Sequence, residues 1–125
     1  MPNRSPEVDR FMAGLNHPLK VKIEEHRAAI LGSNDGITEH IKWEAPSLCY
    51  AGEDRVTFRL YPAERAQLIF HRGARAKSDA ADFAFEDDTE LLRWVAADRA
   101  VVALGDAEAR QRDLVEIVNW WVVTT

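Results

Sequence analysis

Hydrophobic and polar positions in the first third of the chain repeat with a helical period, and they predict two helices. Ser5–Glu7 supplies an N-cap, a proline for the first turn and an acidic residue, so a short helix is predicted from there to about Ala13. A second helix is predicted to open at His17–Pro18 and to end in the turn at 32–36. Its apolar stripe is expected to comprise Leu19, Ile23, Ala29, Ile30 and Leu31. Its solvent side is expected to carry Lys20, Glu24 and Arg27.

From Ile37 the period changes to two, which predicts strands. The first strand is followed by predicted strands at Leu48–Tyr50, Arg55–Leu60 and Gln67–Arg72. A loop of about five residues would join the last two strands as a hairpin. The residues expected to face the helices from this hairpin are Val56, Phe58, Leu60, Leu68 and Phe70.

The C-terminal part predicts an irregular loop, a helix, a strand and a last helix. Asp87 and Glu90 have the spacing of a capping box, which favours a helix that contains Leu91, Leu92, Trp94 and Val95. A strand is predicted at Ala100–Leu104, and a helix is predicted to begin at Gly105–Asp106. The buried stripe of that helix is expected to be Leu114, Ile117, Val118 and Trp121.

These elements predict an α+β fold: a single two-layer domain over residues 1–125, with a curved, mainly antiparallel sheet and its helices packed on one face. A chain of 125 residues is long enough to bury its own core. Residues 1–16 are treated as a peripheral N-terminal extension of that domain.

Charge and cysteine content exclude several classes of protein. The 16 Lys and Arg against 21 Asp and Glu give a net charge of −5, which argues against binding to nucleic acid. The single Cys49 cannot form an internal disulfide, so a reducing cytoplasm is predicted. No apolar run resembles a membrane span or a signal peptide, so neither membrane insertion nor export is expected.

The sheet face away from the helices is the leading candidate for binding. Alternation places Thr57, Arg59, Tyr61, Ile69 and His71 on it, together with His40 and Lys42 from the first strand. Such a cationic, partly aromatic face suits a small anion or an acidic segment of a partner protein. The alternative is that it is only the solvated side of the sheet. The residues assigned to ligand binding are Trp43, Tyr50, Arg59, Tyr61 and His71.

Acidic residues crowd one segment and are the candidate metal ligands. They are Asp79, Asp82, Glu86, Asp87 and Asp88. Carboxylate oxygens suit iron, magnesium or calcium, although the spacing matches no EF-hand. The alternative is that these acids cap a helix and solvate a loop.

No catalytic set is apparent in the sequence. Cys49 lies in a short apolar strand, so burial is favoured over a nucleophilic role, although His40 or His71 could approach it. An enzyme that uses His71 or Cys49 is therefore disfavoured. Trp120 lies off the core stripe and could mark a dimer patch, so the chain is expected to be a monomer or a homodimer.

Several segments together resemble the YdhG-like family, a domain of unknown function in small, mostly bacterial proteins. They are Ile41–Pro46, Val56–Leu60, Leu68–Ala74 and Leu91–Trp94 running into Asp98–Ala100. The resemblance covers the chain from about the second helix to the C-terminus, and it implies a curved antiparallel sheet. One branch of the family is described as a frataxin-like iron chaperone, so iron is the candidate metal, while the cofactor stays open. No ligand motif transfers residue by residue. The leading prediction is a binding or carrier protein, with the iron chaperone as the alternative.

Overall fold

A computed structural model describes residues 3–72 and 83–125 of the chain. Within these ranges four helices pack against an open six-stranded antiparallel sheet, so the fold is α+β, as predicted. The helices are α1 (Pro6–Ala13), α2 (Lys20–Ser33), α3 (Leu104–Ala107) and α4 (Gln111–Thr124). The strands are β1 (Ile37–Lys42), β2 (Ala45–Tyr50), β3 (Glu53–Arg59), β4 (Gln67–Phe70), β5 (Arg93–Ala96) and β6 (Arg99–Ala103). None of these helices combines the length and apolar composition that a membrane span requires.

The strands lie in the order β1-β2-β3-β4-β6-β5, and every neighbouring pair is antiparallel. The first four strands follow chain order, whereas β6 inserts between β4 and β5. One extra residue of β3, Arg55, separates the pairs Leu48↔Val56 and Cys49↔Asp54, which makes a β-bulge. The predicted hairpin is confirmed, and its register pairs Phe58 with Leu68.

The core lies between the helices and one face of the sheet. The pairing of Phe58, Leu68 and Val102 across three strands places these buried side chains on that face. The predicted stripe of α4 is confirmed, because Leu114, Ile117, Val118 and Trp121 are all buried. From α1, Val8 and Met12 enter the same core, so this helix is part of the packed domain.

A buried ion cluster joins α1, α2 and β1. The prediction that Arg27 faces solvent is wrong, since only 1% of its side chain is exposed. Its guanidinium donates to both carboxylate oxygens of Glu39 at 2.6 and 2.5 Å, to Asp9 at 2.8 Å and to Glu24 at 2.9 Å. The backbone N–H of Ser5 also donates to Glu39. Burial alone would lower the pKa of Arg27, but its hydrogen bonds to these carboxylates raise it.

The predicted helix over residues 91–95 is also wrong, because Arg93–Ala96 forms the edge strand β5. Asp87 does not cap a helix; its carboxylate accepts hydrogen bonds from the backbone N–H groups of Thr89 and Leu92 and so closes a turn. Glu90 has a φ of 59°, which a helix does not accommodate. The aromatic and β-branched pair Trp94 and Val95 favours a strand, and the backbone here pairs with β6.

The turn between β1 and β2 is strained. Trp43 and Glu44 have φ angles of 53° and 60°, in the left-handed region that favours glycine. The next turn, between β2 and β3, has Gly52 at a φ of 83°. The first hairpin therefore holds two bulky residues in a conformation that a glycine would adopt at lower cost.

We expect the change Arg27→Met to lower the free energy of unfolding by about 3–5 kcal/mol, because Glu39 would stay buried without its cation. The double variant Arg27→Met/Glu39→Leu should recover most of this loss, because neither charge remains in the interior. Urea denaturation followed by circular dichroism measures both effects. Lys22→Met on the exposed side of α2 is the control and should change the free energy by less than about 0.5 kcal/mol. A double variant no more stable than Arg27→Met would contradict this account.

The change Glu44→Gly should raise the free energy of unfolding by about 0.5–1 kcal/mol, because it relieves a left-handed backbone strain. The same change at Glu116, which is exposed in the interior of α4, should lower it by about 1 kcal/mol. Thermal and urea unfolding of both variants tests the contrast. Equal destabilisation by the two substitutions would show that the turn is not strained.

The burial of His26 predicts that the folded protein loses stability in acid. The ring is fully buried, and within the described ranges the side chain of Gln111 on α4 is its only close polar neighbour for hydrogen bonding, without ideal geometry. Burial, with the charge of Lys22, lowers its pKa from the ordinary value of 6.5. The unfolded chain then binds more protons than the native state, so stability is complete above about pH 6.5 and falls as the pH drops toward the native pKa.

Comparison of wild type with His26→Leu measures this effect. The wild type should lose more free energy of unfolding than the variant between pH 7.5 and 5, by about 1.4 kcal/mol for each unit by which the pKa is lowered. Urea midpoints at several pH values give the slopes. Parallel slopes for the two proteins would exclude His26 as a source of acid sensitivity.

Candidate functional site

A cavity of about 730 Å³ opens at the end of the sheet where the β1–β2 turn lies. The end of α1, the β1–β2 turn and the end of β3 surround it. Its lining comprises Phe11, Leu15, Ile41, Trp43, Glu44, Ala45, Phe58, Arg59, Leu60, Tyr61 and Ile69. Most of these side chains are apolar, and the two charged ones are Glu44 and Arg59. Such a lining, with few polar groups, is typical of small-molecule sites.

Two exposed aromatic rings form part of the wall. Trp43 is 61% exposed and Tyr61 is 57% exposed. The Tyr61 ring packs against His17 at 5.3 Å between centroids, and its hydroxyl donates to the carbonyl oxygen of Asn16. Lys42 Nζ lies 4.9 Å from the centroid of the Trp43 ring. Both rings are thus held by neighbours while large parts of their surfaces remain in water.

Arg59 supplies the cation of the cavity. Its side chain is exposed, and in the part of the chain that the structure describes it makes no hydrogen bond or ion pair. Glu44 lines the same cavity but lies beyond ion-pair distance from Arg59. A guanidinium presents several N–H donors in one plane, which suits a carboxylate or phosphate. Arg59 can therefore receive an anionic group.

The structure brings three of the five predicted ligand residues to this cavity: Trp43, Arg59 and Tyr61. His71 lies behind its wall, 1% exposed, with its ring centroid 6.3 Å from that of Trp43. Tyr50 is elsewhere, at the other end of β2, where it packs against the core and lies next to Gly36. The cavity itself was not apparent from the sequence, because it requires the end of α1 to lie beside the β1–β2 turn.

The sheet face away from the helices is not the open cationic surface that the sequence indicated. Asp54 lies among the basic groups: Oδ1 is 2.6 Å from His40 Nε2 and Oδ2 is 3.2 Å from Lys42 Nζ. The bulge at Arg55 places Asp54 on the same face as Thr57. The charges of this part of the face are therefore largely paired.

A chain of hydrogen bonds continues from Asp54 across the same face. Ser47 donates to Asp54 at 2.6 Å, Ser47 and Thr57 share a hydrogen bond of 2.8 Å, and Thr57 contacts His71 Nε2 at 2.8 Å. Ser47, Thr57 and His71 are each 1% exposed or less. Buried polar groups of this kind need partners, and each one here supplies a partner for the next.

The local charges set the protonation of Asp54 and Cys49. Burial would raise the pKa of Asp54, but the hydrogen bonds from Ser47, His40 and Lys42 lower it well below its usual range. Burial first, and then the negative charge of Asp54, raise the pKa of the Cys49 thiol to about 12. The thiol is therefore a poor nucleophile at neutral pH.

The predicted acidic ligands are only partly covered by the structure. Asp79 and Asp82 lie outside the described residues. Glu86, Asp87 and Asp88 line a second cavity of about 510 Å³, beside Trp120 and Val123. Asp87 uses its carboxylate to close the turn. Within residues 3–72 and 83–125, the three acids form no group of converging donor atoms; the only such group is His40, Cys49 and Asp54. Iron binding through the acidic segment stays a prediction.

No family model, curated protein or solved structure matches this chain. The resemblance to the YdhG-like family therefore stays a prediction.

Proposed function

We propose that this protein binds a small amphipathic carboxylate, with an aromatic body, in the cavity between the β1–β2 turn and the end of α1. One observation carries the proposal: an apolar cavity joins two exposed aromatic rings to an exposed guanidinium that makes no ion pair within the described ranges. An aromatic ligand would cover the rings, and its carboxylate would meet Arg59.

The aromatic walls favour a flat, apolar ligand body. Aromatic pairs stabilise each other by about 0.5–1.5 kcal/mol beyond the burial of their surface. Trp43 and Tyr61 have large areas left in water, so a ligand that covers them removes apolar surface from solvent. The apolar side chains of Leu15, Ile41 and Ile69 also line the cavity.

The cavity wall is positioned before any ligand binds. The strained turn fixes the backbone of Trp43, Lys42 lies over its ring, and His71 packs beside it. Bulky residues in left-handed conformations persist where the surrounding structure holds them, often at binding sites. A fixed wall lowers the cost of ordering side chains on binding.

Binding is favoured over catalysis because of what lines the cavity. The lining contains one carboxylate, one guanidinium and one phenol, and it contains no cysteine, serine or histidine. A nucleophile with an adjacent base is therefore missing from the lining that the structure describes. We propose a cytoplasmic binding or carrier protein, with the location resting on the single cysteine.

Two probes test the proposal: indole-3-acetate and its neutral analogue indole-3-acetamide. We expect the carboxylate to bind about tenfold more tightly than the amide, which corresponds to about 1.4 kcal/mol, because only the carboxylate can pair with Arg59. Chemical-shift titrations of ¹⁵N-labelled protein give both dissociation constants and locate the probe from the indole N–H of Trp43.

Three variants complete this test. Arg59→Gln should remove the preference for the carboxylate probe over the amide probe. Trp43→Ala should weaken the binding of both probes. Trp120→Ala is the matched control, because Trp120 is 55% exposed on α4, away from the cavity lining. Equal binding of the two probes to wild type, no binding at all, or equal losses in Trp43→Ala and Trp120→Ala would each overturn the proposal.

A further inference from the structure

Three metal-binding side chains converge on the sheet face away from the helices. They are His40 from β1, Cys49 from β2 and Asp54 from β3, and their donor atoms all lie within 4.8 Å of one another. Asp54 Oδ1 lies 2.6 Å from His40 Nε2 and 3.5 Å from Cys49 Sγ. The three residues belong to three adjacent strands, so their meeting depends on the sheet and not on local sequence.

These separations are close to those in a tetrahedral zinc site. Bonds of about 2.0–2.3 Å to nitrogen, oxygen and sulfur place neighbouring ligand atoms about 3.3–3.8 Å apart. The distance between Cys49 and Asp54 already lies in that interval. The contact between His40 and Asp54 would open by less than about 1 Å when a cation replaces the proton between them. His40 is the ligand that would move to admit the cation, because its side chain is 47% exposed and has room to move.

The backbone holds the other two ligands in place. Cys49 and Asp54 are direct partners in the β2–β3 ladder, at the position where the bulge begins. Bulges re-aim side chains, and they are frequent beside functional sites. Cys49 also pairs with Thr38 of β1, so both neighbouring strands fix its backbone.

Two further residues orient the carboxylate. Ser47 donates to Asp54 Oδ1, and Lys42 contacts the other oxygen, Oδ2. Outer contacts of this kind hold a ligating carboxylate in position, and their loss typically weakens metal binding. The Lys42 contact leaves Oδ1 as the oxygen that faces His40 and Cys49.

We propose that His40, Cys49 and Asp54 form a binding site for a zinc-class divalent cation. Nitrogen and sulfur donors favour zinc or cobalt over magnesium and calcium, which prefer oxygen alone. Three protein ligands leave a fourth position for water or an external ligand. On coordination the thiol proton of Cys49 passes to solvent, and the thiolate binds the metal. This proposal is independent of the carboxylate cavity.

Cobalt(II) is the probe, because a thiolate bound to it gives a charge-transfer absorption band. Reduced, untagged, full-length protein is titrated with Co²⁺ under anaerobic conditions, and Zn²⁺ is then added in competition. We expect saturation at one equivalent, a thiolate-to-cobalt band, and displacement of cobalt by zinc. Mg²⁺ at the same concentration should not displace it. A titration without saturation, or a complex without the thiolate band, would overturn the proposal.

Variants locate the site. Cys49→Ala should abolish the thiolate band, and His40→Ala should weaken cobalt binding by roughly tenfold or more. Because His40 is half exposed, its replacement should leave the fold intact, which circular dichroism checks. Asp88→Asn is the control, an exposed acid from the acidic segment. Cobalt binding that survives in both Cys49→Ala and His40→Ala, or that is lost in Asp88→Asn alone, would refute the site.

Discussion

The buried pair of Arg27 and Glu39 is the constraint on which the rest of the structure depends. A charged side chain is expensive in an apolar interior, so each of these two residues requires the other in one geometry. Glu39 lies on the core side of β1, and Arg27 comes from the middle of α2. Asp9 and Ser5 join them from the start of α1. The two N-terminal helices are therefore tied to one edge of the sheet, and a displacement of either would expose a charge without its partner.

That attachment places α1 against the turn end of the first hairpin, and a second polar network lies on the opposite face of the hairpin. The end of α1 reaches the β1–β2 turn, where Phe11 and Leu15 complete the wall of the carboxylate cavity. On the opposite face of the same strands, the chain of hydrogen bonds from His71 to Asp54 connects β3 and β4 to β2, and His40 adds β1. Polar contacts thus hold β1 from the core side and link the first four strands across the opposite face, while the core itself is a cluster of buried apolar side chains.

Much of the fold follows from local pattern, and the errors have identifiable causes. Alternation located β3 and β4 and their core-facing side chains, and the spacing of Leu114 and Ile117 defined the buried side of α4. Arg27 was misplaced because its partner lies 12 residues away, in another element. The segment around Trp94 has a pattern that fits either a helix or an edge strand, and pairing with β6 decides it. Candidate sites were harder to predict, since the cavity and the cluster at Asp54 both need side chains from separate elements.

The bulge at Arg55 determines where the sheet tolerates changes in length. In a regular ladder, loss or gain of one residue moves every later side chain to the other face. Arg55 is the extra residue of its ladder, so its removal would leave Asp54 and Thr57 on the face that they share. A deletion at Val56 would instead draw Arg55 into the ladder opposite Leu48, and a charged side chain would then replace an apolar one on the core face. Related chains of different length are therefore expected to vary at this single position of the strand.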